Sequence, residues 1–162
     1  MELWDAYLPD GRPAGLDLVR GRPIPPGLFH IVCEIAVRRR DGLYLLTQRD
    51  PAKQTYPGFW EAGAGGSILK GETPWQGALR ELREETGLEG RDLRLIYVQS
   101  NGRNAFHWGF VCLAQPEDPV ILQPGETAAY RWLTRRDFLK AMEEPSFVPT
   151  QRNRWRPFLD QL

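Results

Sequence analysis

The chain has 162 residues, with 21 basic and 21 acidic side chains, which is enough length for one domain with a sizeable core and too little for two ordinary ones. Balanced charge provides no global field toward nucleic acid or an anionic membrane, so neither partner is expected and any phosphate binding has to be local. No secretory leader pattern opens the chain and no apolar run approaches a membrane span, so a cytoplasmic location is expected.

Taken in order, Leu3 to Tyr7 and Gly15 to Val19 flank the turn sequence P-D-G-R-P and predict an N-terminal hairpin, tied by the stiff R-G-R-P-I-P-P-G link to the main body of the domain. Residues 1–27 are thus a hairpin and linker within a single domain spanning 1–162. Phe29 to Val37 reads as a buried strand, Arg38 to Gly42 as a turn and Leu43 to Gln48 as the next strand, the two pairing as a hairpin. The turn-rich stretch Arg49 to Gly58 leads to a short strand at Phe59-Trp60-Glu61 and then to A-G-A-G-G.

Leu93 to Ser100 and Ala105 to Ala114 read as strands joined by the turn N-G-R-N. After a loop from Gln115 to Glu126 come a strand at Ala128 to Leu133, a helix at Arg135 to Glu143, and a closing helix within Phe147 to Leu162. Strands before, around and after a central helix, with helices late, predict an α/β domain on a mixed sheet. Cys33 and Cys112 lie in strand-like runs without metal-ligand spacing and are expected to be two core thiols.

The stretch from Gly66 to Leu88 carries the chemistry. Thr73 as N-cap, Pro74 at the first helical position and Gln76 three residues after the cap start a helix, and Gly87 stops it. Trp75, Ala78, Leu79, Leu82 and Thr86 form one face, expected to pack, while Glu81, Glu84 and Glu85 form another. Like charges at three- and four-residue spacing cost a bare helix roughly 0.2 to 0.5 kcal/mol per pair, so three carboxylates together call for a divalent metal. Carboxylates on a rigid helix suit the hard cations Mg2+ or Mn2+, which neutralise phosphoryl oxygens and make water nucleophilic. Arg80, one turn before Glu84, can orient carboxylates, and Glu72 can fix Arg80.

The spacing G-x5-E-x7-R-E-L-x-E-E-x-G-L resembles the signature of the Nudix hydrolases, with Gly66, Glu72, Arg80, Glu81, Leu82, Glu84, Glu85, Gly87 and Leu88 filling every defined position. The resemblance implies a mixed β-sheet sandwiched between helices, and hydrolysis of a diphosphate linkage in a small-molecule substrate. It makes Glu81, Glu84 and Glu85 metal ligands, one of them a candidate base, with the backbone carbonyl near Gly66 as a further ligand. Glu126, outside the motif, is a further candidate ligand or general base.

The opening E-L-W-D-A-Y-L-P-D-G-R-P-A-G and Arg49-x3-Lys53 followed by P-G-F-W resemble the Nudix branch related to isopentenyl-diphosphate isomerase. That resemblance makes Arg49 and Lys53 candidates to grip a diphosphate. Proton transfer at carbon is therefore the rival reaction, but aligning through Trp60 puts Ala64 or Gly65 where the isomerases' catalytic cysteine would fall, and Ser67 in place of a metal-binding histidine. A non-catalytic module that binds a diphosphate ligand is a third reading. Trp60 is a substrate-contact candidate, and Phe59, Phe106 and Trp108 can likewise stack a base or cover an apolar tail, although core packing accounts for at least half of these rings. His30 reads as a hydrogen-bonded core residue and His107 as a strand residue that can line a pocket. The N-terminal hairpin either pairs across a homodimer or covers a sheet edge.

Overall fold

A computed structural model describes residues 1–162. In chain order the elements are β1 (Leu3–Tyr7), β2 (Pro13–Val19), β3 (His30–Arg39), β4 (Tyr44–Arg49), β5 (Trp60–Ala62), β6 (Ala64–Ser67), α1 (Pro74–Thr86), β7 (Arg91–Ser100), β8 (Ala105–Ala114), β9 (Thr127–Leu133), α2 (Arg135–Glu143) and α3 (Pro149–Trp155), with a 3-10 segment at Arg156–Gln161. No helix is long and apolar enough to cross a membrane.

Strand β3 organises the rest because successive side chains on a strand face opposite ways. Ile31, Cys33, Ile35 and Val37 enter one apolar cluster with Ala78 and Leu82 of α1 and with Phe110 and Cys112 of β8. Ala36, from the other face, enters a second cluster with Phe138 and Met142 of α2 and Trp155 of α3. The mixed sheet is therefore covered by α1 on one side and by α2 and α3 on the other, the expected sandwich. Cys33 and Cys112 are both buried free thiols.

The sheet runs β5-β4-β3-β8-β7, and its central pair β3 and β8 is parallel over ten residues, from His30↔Ala105 to Arg39↔Ala114. The expected hairpin between β3 and β4 is confined to its turn, where only Arg38↔Tyr44 is in register. Beyond it the glycine-rich A-G-G-S stretch, read from sequence as a loop, forms β6 and occupies the edge of β3 from Val32↔Ser67 to Ile35↔Ala64. Strand β4 pairs instead with β5 and β9. Glycine is what permits this, since a Cβ at Gly65 would lie 2.5 Å from the Cys33 carbonyl oxygen.

Strands β1 and β2 form a separate two-stranded sheet. A bridge between Tyr7 and Phe29 (N–O 2.8 and 2.9 Å) ties it to the start of β3, and Trp4, Ala6 and Leu18 pack with Leu28 and Leu69 beneath it. The closing helix lies within the expected range and stops at Trp155: Pro157 has no N–H to continue the ladder, Phe158 leaves helical geometry at φ −124°, and the chain ends as a 3-10 turn.

His30 departs from the reading of a hydrogen-bonded core histidine. It is buried and stacked on Trp4 with ring centroids 4.3 Å apart, and its Nδ1 has no hydrogen-bond partner. Burial, with nearby His107 adding to it, holds its pKa down at about 4. The folded chain keeps His30 neutral where the unfolded chain takes up a proton, so its contribution to stability is full above pH 6.5 and declines as pH falls toward 4. Urea unfolding at pH 7 and pH 4.5 is expected to show a loss from this residue on the order of 2 kcal/mol, absent in His30→Phe.

Candidate active site

The helix start is built as the sequence predicts: Thr73 Oγ1 accepts from Gln76 N–H at 3.3 Å, Gln76 Oε1 accepts from Thr73 N–H at 2.8 Å, and Pro74 occupies the first helical position. Gly87 ends the helix at φ 72°, its N–H bonding the Arg83 carbonyl. The packing face, however, is rotated from the one expected. Ala78, Leu82 and Thr86 are buried, but so are Gly77 and Glu85, while Trp75 and Leu79 stay exposed at 42% and 39%. The cause is the close approach of β6, against which the Glu85 side of the helix packs: the Glu85 carboxylate accepts a hydrogen bond from Gly65 N–H at 3.1 Å.

The three glutamates accordingly have three environments. Glu84 is exposed, Glu81 is largely covered, and Glu85 is buried. Arg80 links the first two, donating from Nη1 to Glu81 Oε1 at 2.8 Å and to Glu84 Oε2 at 3.1 Å. Its Nε and Nη2 grip both oxygens of Glu72 at 2.7 and 3.0 Å, and Nη2 also reaches the Ser67 carbonyl at 3.1 Å. Arg80 hydrogen bonding holds the Glu72 carboxyl below its usual range. Burial raises Glu81 against the opposing pull of Arg80, and raises Glu85 to about 8, with the Glu61 charge adding to it.

Glu81, Glu84 and Glu85 line a cleft of about 390 Å3 together with Arg49, Lys53 and, from the end of the N-terminal hairpin, Arg20, each of these cations being paired with a carboxylate. Glu126 and Gly66 line it as well. Lys53 donates to Glu126, and Asp50 N–H bonds the Glu126 carbonyl at 2.9 Å, so the loops after β4 and before β9 are clamped together. Arg49 donates from Nη1 to both oxygens of Glu61 at 3.2 Å and from Nε to the Thr55 carbonyl at 2.9 Å.

Trp60 corrects the sequence reading: it is not among the residues lining this cleft. Its ring lies under the Arg131 guanidinium, 4.7 Å from the centroid, and packs against the second core. Phe106 stacks on Phe29 and Trp108 packs edge-on to Trp75, so neither lines the cleft, and Phe59 tilts against Tyr56. Sequence reasoning also missed Arg20, Glu2 and Glu61. The first two were hidden because nothing local shows that the hairpin folds back to the cleft, whereas Glu61, a charged residue flanked by core positions in a short strand, was a visible signal.

Glu81, Glu84, Glu85 and the Gly66 carbonyl supply hard oxygen donors on one wall, the chemistry a divalent cation needs. They do not converge on one point here, because Arg80 draws Glu81 and Glu84 toward itself. The buried Glu85 beside Glu61 is nonetheless a carboxylate held without a cationic partner of its own, which is the environment a bound cation would relieve. The donor set therefore fits a metal.

An α/β/α sandwich that sets a glycine-rich strand and a glutamate helix beside Arg49 and Lys53 is the arrangement the motif implies. The chain belongs to the Nudix family: the NUDIX domain model matches residues 29–152. It is 48% identical over 121 residues to a CTP pyrophosphohydrolase of Escherichia coli, covering 70% of this chain and 83% of that protein. It is 32% identical over 150 residues to an isopentenyl-diphosphate Delta-isomerase of Corynebacterium diphtheriae, covering 85% and 81%. The crystal structure of DR0079 from Deinococcus radiodurans matches with a TM-score of 0.76 at 20% identity, over 97% of this chain and 99% of that one. Nudix hydrolases are generally pyrophosphohydrolases that act on small-molecule diphosphates and generally use divalent metal ions, and this chain is an enzyme of that family.

Gly66 is the position where the loop must come closest to the helix. A Cβ there would lie 2.4 Å from the carboxyl carbon of Glu81. Because the obstacle is the end of a flexible side chain, Gly66→Ala is expected to move thermal unfolding little while displacing Glu81 and lowering catalytic activity by roughly tenfold or more. Parallel melting and turnover measurements check this, and a fall in stability with unaltered specific activity would contradict it.

Proposed function

We propose that this chain hydrolyses the diphosphate linkage of a nucleoside diphosphate derivative or a related organic pyrophosphate by water attack at phosphorus. The observation that carries the reading is the cleft itself, with Arg80-organised glutamates on one wall and Arg49 and Lys53 on the other. Glu81, Glu84, Glu85 and the Gly66 carbonyl would hold Mg2+ or Mn2+, which would supply neutralisation of phosphoryl oxygens and a lowered pKa of water.

Lys53 and Arg49 bind and orient the diphosphate from the opposite wall. Arg49 is held on two sides, through Nε by the Thr55 carbonyl and through Nη1 by Glu61, so its direction is set before substrate arrives. A carboxylate of the cleft takes the proton of the attacking water, the new P–O bond forms as the bridging P–O bond breaks, and the departing phosphate leaves with the electron pair. Glu85 and Glu126 are the candidates for that proton, since each lines the cleft and neither bonds Arg80. Arg80 and Glu72 position the glutamates from behind.

Similarity to an isomerase favours proton transfer at carbon as a second reading, but no thiol is placed for it. Cys33 lies in register with Gly66, fully buried, donating to the Gly66 carbonyl at 3.3 Å, and burial raises its pKa further from ionisation.

Replacing Glu81 and Glu85 together by Gln is expected to lower Mg2+-dependent release of phosphate or nucleotide by on the order of 10^2-fold or more across a substrate panel. Unchanged turnover in the double variant would sink the proposal. Lys53→Ala is expected to raise KM by roughly tenfold with a smaller change in kcat, as befits a group that binds ground state and transition state alike.

A further inference from the structure

Behind the catalytic cleft, sharing Val32, Arg49, Thr55 and Gly65 with it, opens a second chamber of about 260 Å3. It lies on the face of β3 turned away from α1, between β8 and α3. Its floor is a buried ion pair: the Glu34 carboxylate receives Arg154 Nε at 3.0 and 3.1 Å, Arg154 Nη2, and the hydroxyl of Tyr97. Glu34 is thereby fully partnered, and the charges of the pair cancel.

What remains unpartnered in the chamber is a set of neutral or shielded hydrogen-bonding groups. Arg154 engages Glu34 through Nε and Nη2, which leaves Nη1 to donate. Gln151 uses its carbonyl to accept from Ala62 N–H at 2.8 Å, which leaves its amide nitrogen to donate. Thr150 lines the same wall. His107, opposite Val32 in the sheet register, has a buried Nδ1 with no hydrogen-bond partner, 3.7 Å from Glu34 Oε1. At the mouth Tyr56 sits at φ 48°, a left-handed conformation that a bulky residue rarely adopts outside sites where the surroundings impose it.

We infer that this chamber is the specificity pocket: it receives the organic group attached to the diphosphate and selects a neutral ring bearing hydrogen-bond acceptors, a nucleobase or a sugar, over an alkyl chain. The inference rests on the diphosphate binding proposed for the adjoining cleft. An alkyl or isoprenoid group placed here would strip water from Arg154, Gln151 and His107 and return no hydrogen bond, a strong form of discrimination for covered polar groups, with the exposed Thr150 at the solvent side. Recognition runs through ring edges, because the aromatic side chains around the site are packed elsewhere and only Tyr56 is placed to cover a ring face.

The test compares kcat/KM, with Mg2+, for a nucleoside diphosphate sugar, a nucleoside triphosphate, a sugar diphosphate, methyl triphosphate and isopentenyl diphosphate. At least one ring-bearing compound is expected to exceed isopentenyl diphosphate by roughly 100-fold or more. Thr150→Val and His107→Phe, which keep volume at sites outside the ion pair, are expected to reduce the preference for the ring-bearing compound over methyl triphosphate by about tenfold, chiefly through KM. Preference for nucleoside compounds over the sugar diphosphate identifies a base as the occupant, and the reverse identifies a sugar. Turnover that ignores the attached group, or a preference that both variants leave intact, overturns the specificity pocket while leaving the hydrolase reading standing. If no compound is turned over, the hydrolase reading fails instead, and calorimetric binding of the same compounds with Mn2+ decides the pocket: equal affinity for ring-bearing and alkyl diphosphates overturns it.

Discussion

Arg80 is the interaction on which the site depends. A guanidinium has five N–H donors in a fixed plane, and all of them are engaged: one on Glu81, one on Glu84, two across Glu72 and one on the Ser67 carbonyl. One side chain thereby joins the helix face, the loop before the helix and the end of β6. It also answers the repulsion that three glutamates on one helix would otherwise impose, although only for two of them. Lysine would supply the charge without the planar fork, so the arrangement depends on arginine geometry and not on a positive charge alone.

Glu85 is outside that arrangement, and this gives the carboxylates of the helix two different settings. Its carboxylate is packed against β6 with a backbone N–H as its hydrogen-bond partner, and burial raises it to about 8. The same rotation of the helix exposes Trp75 and Leu79. Burying a glutamate while leaving two large apolar residues partly in water runs against hydrophobic packing, which is the direction expected when an element is positioned for chemistry and not for maximal burial.

The start of the fold was legible because local rules coincide there: the capping box, the proline at the first helical turn and the glycine stop all point to one helix, and alternation along β3 separates its two cores. What could not be read locally was long-range. A-G-G-S has no strand propensity, and β6 exists because its glycines let two backbones approach; the β3 and β4 hairpin gave way to it. The candidate ligands and cations read from the motif and from Arg49, Lys53 and Glu126 do meet in one cleft. Trp60 does not join them: its ring is covered by Arg131, which reaches it from β9 across β4, and no sequence offset reports that contact. Glu34, in an otherwise apolar run, marked the second chamber, but its partner Arg154 is 120 residues away in sequence.

The second chamber arises from the same alternation that builds the core. Cys33 and Ile35 face α1, so Glu34 between them must face the other way, and a buried carboxylate there requires partners. Tyr97 reaches it from β7 only because residue 109 of the intervening β8 is glycine: a Cβ at Gly109 would lie 2.1 Å from the Tyr97 ring. Gly109 is also the residue opposite Glu34 in the parallel register. A single glycine thus lets a hydroxyl cross one strand to a buried carboxylate on the next, where Arg154 spends only Nε and Nη2. Once the tyrosine and arginine hold Glu34, and Arg49 is paired with Glu61, every charge lining the chamber has an opposite partner, an arrangement the sheet sets before any ligand arrives.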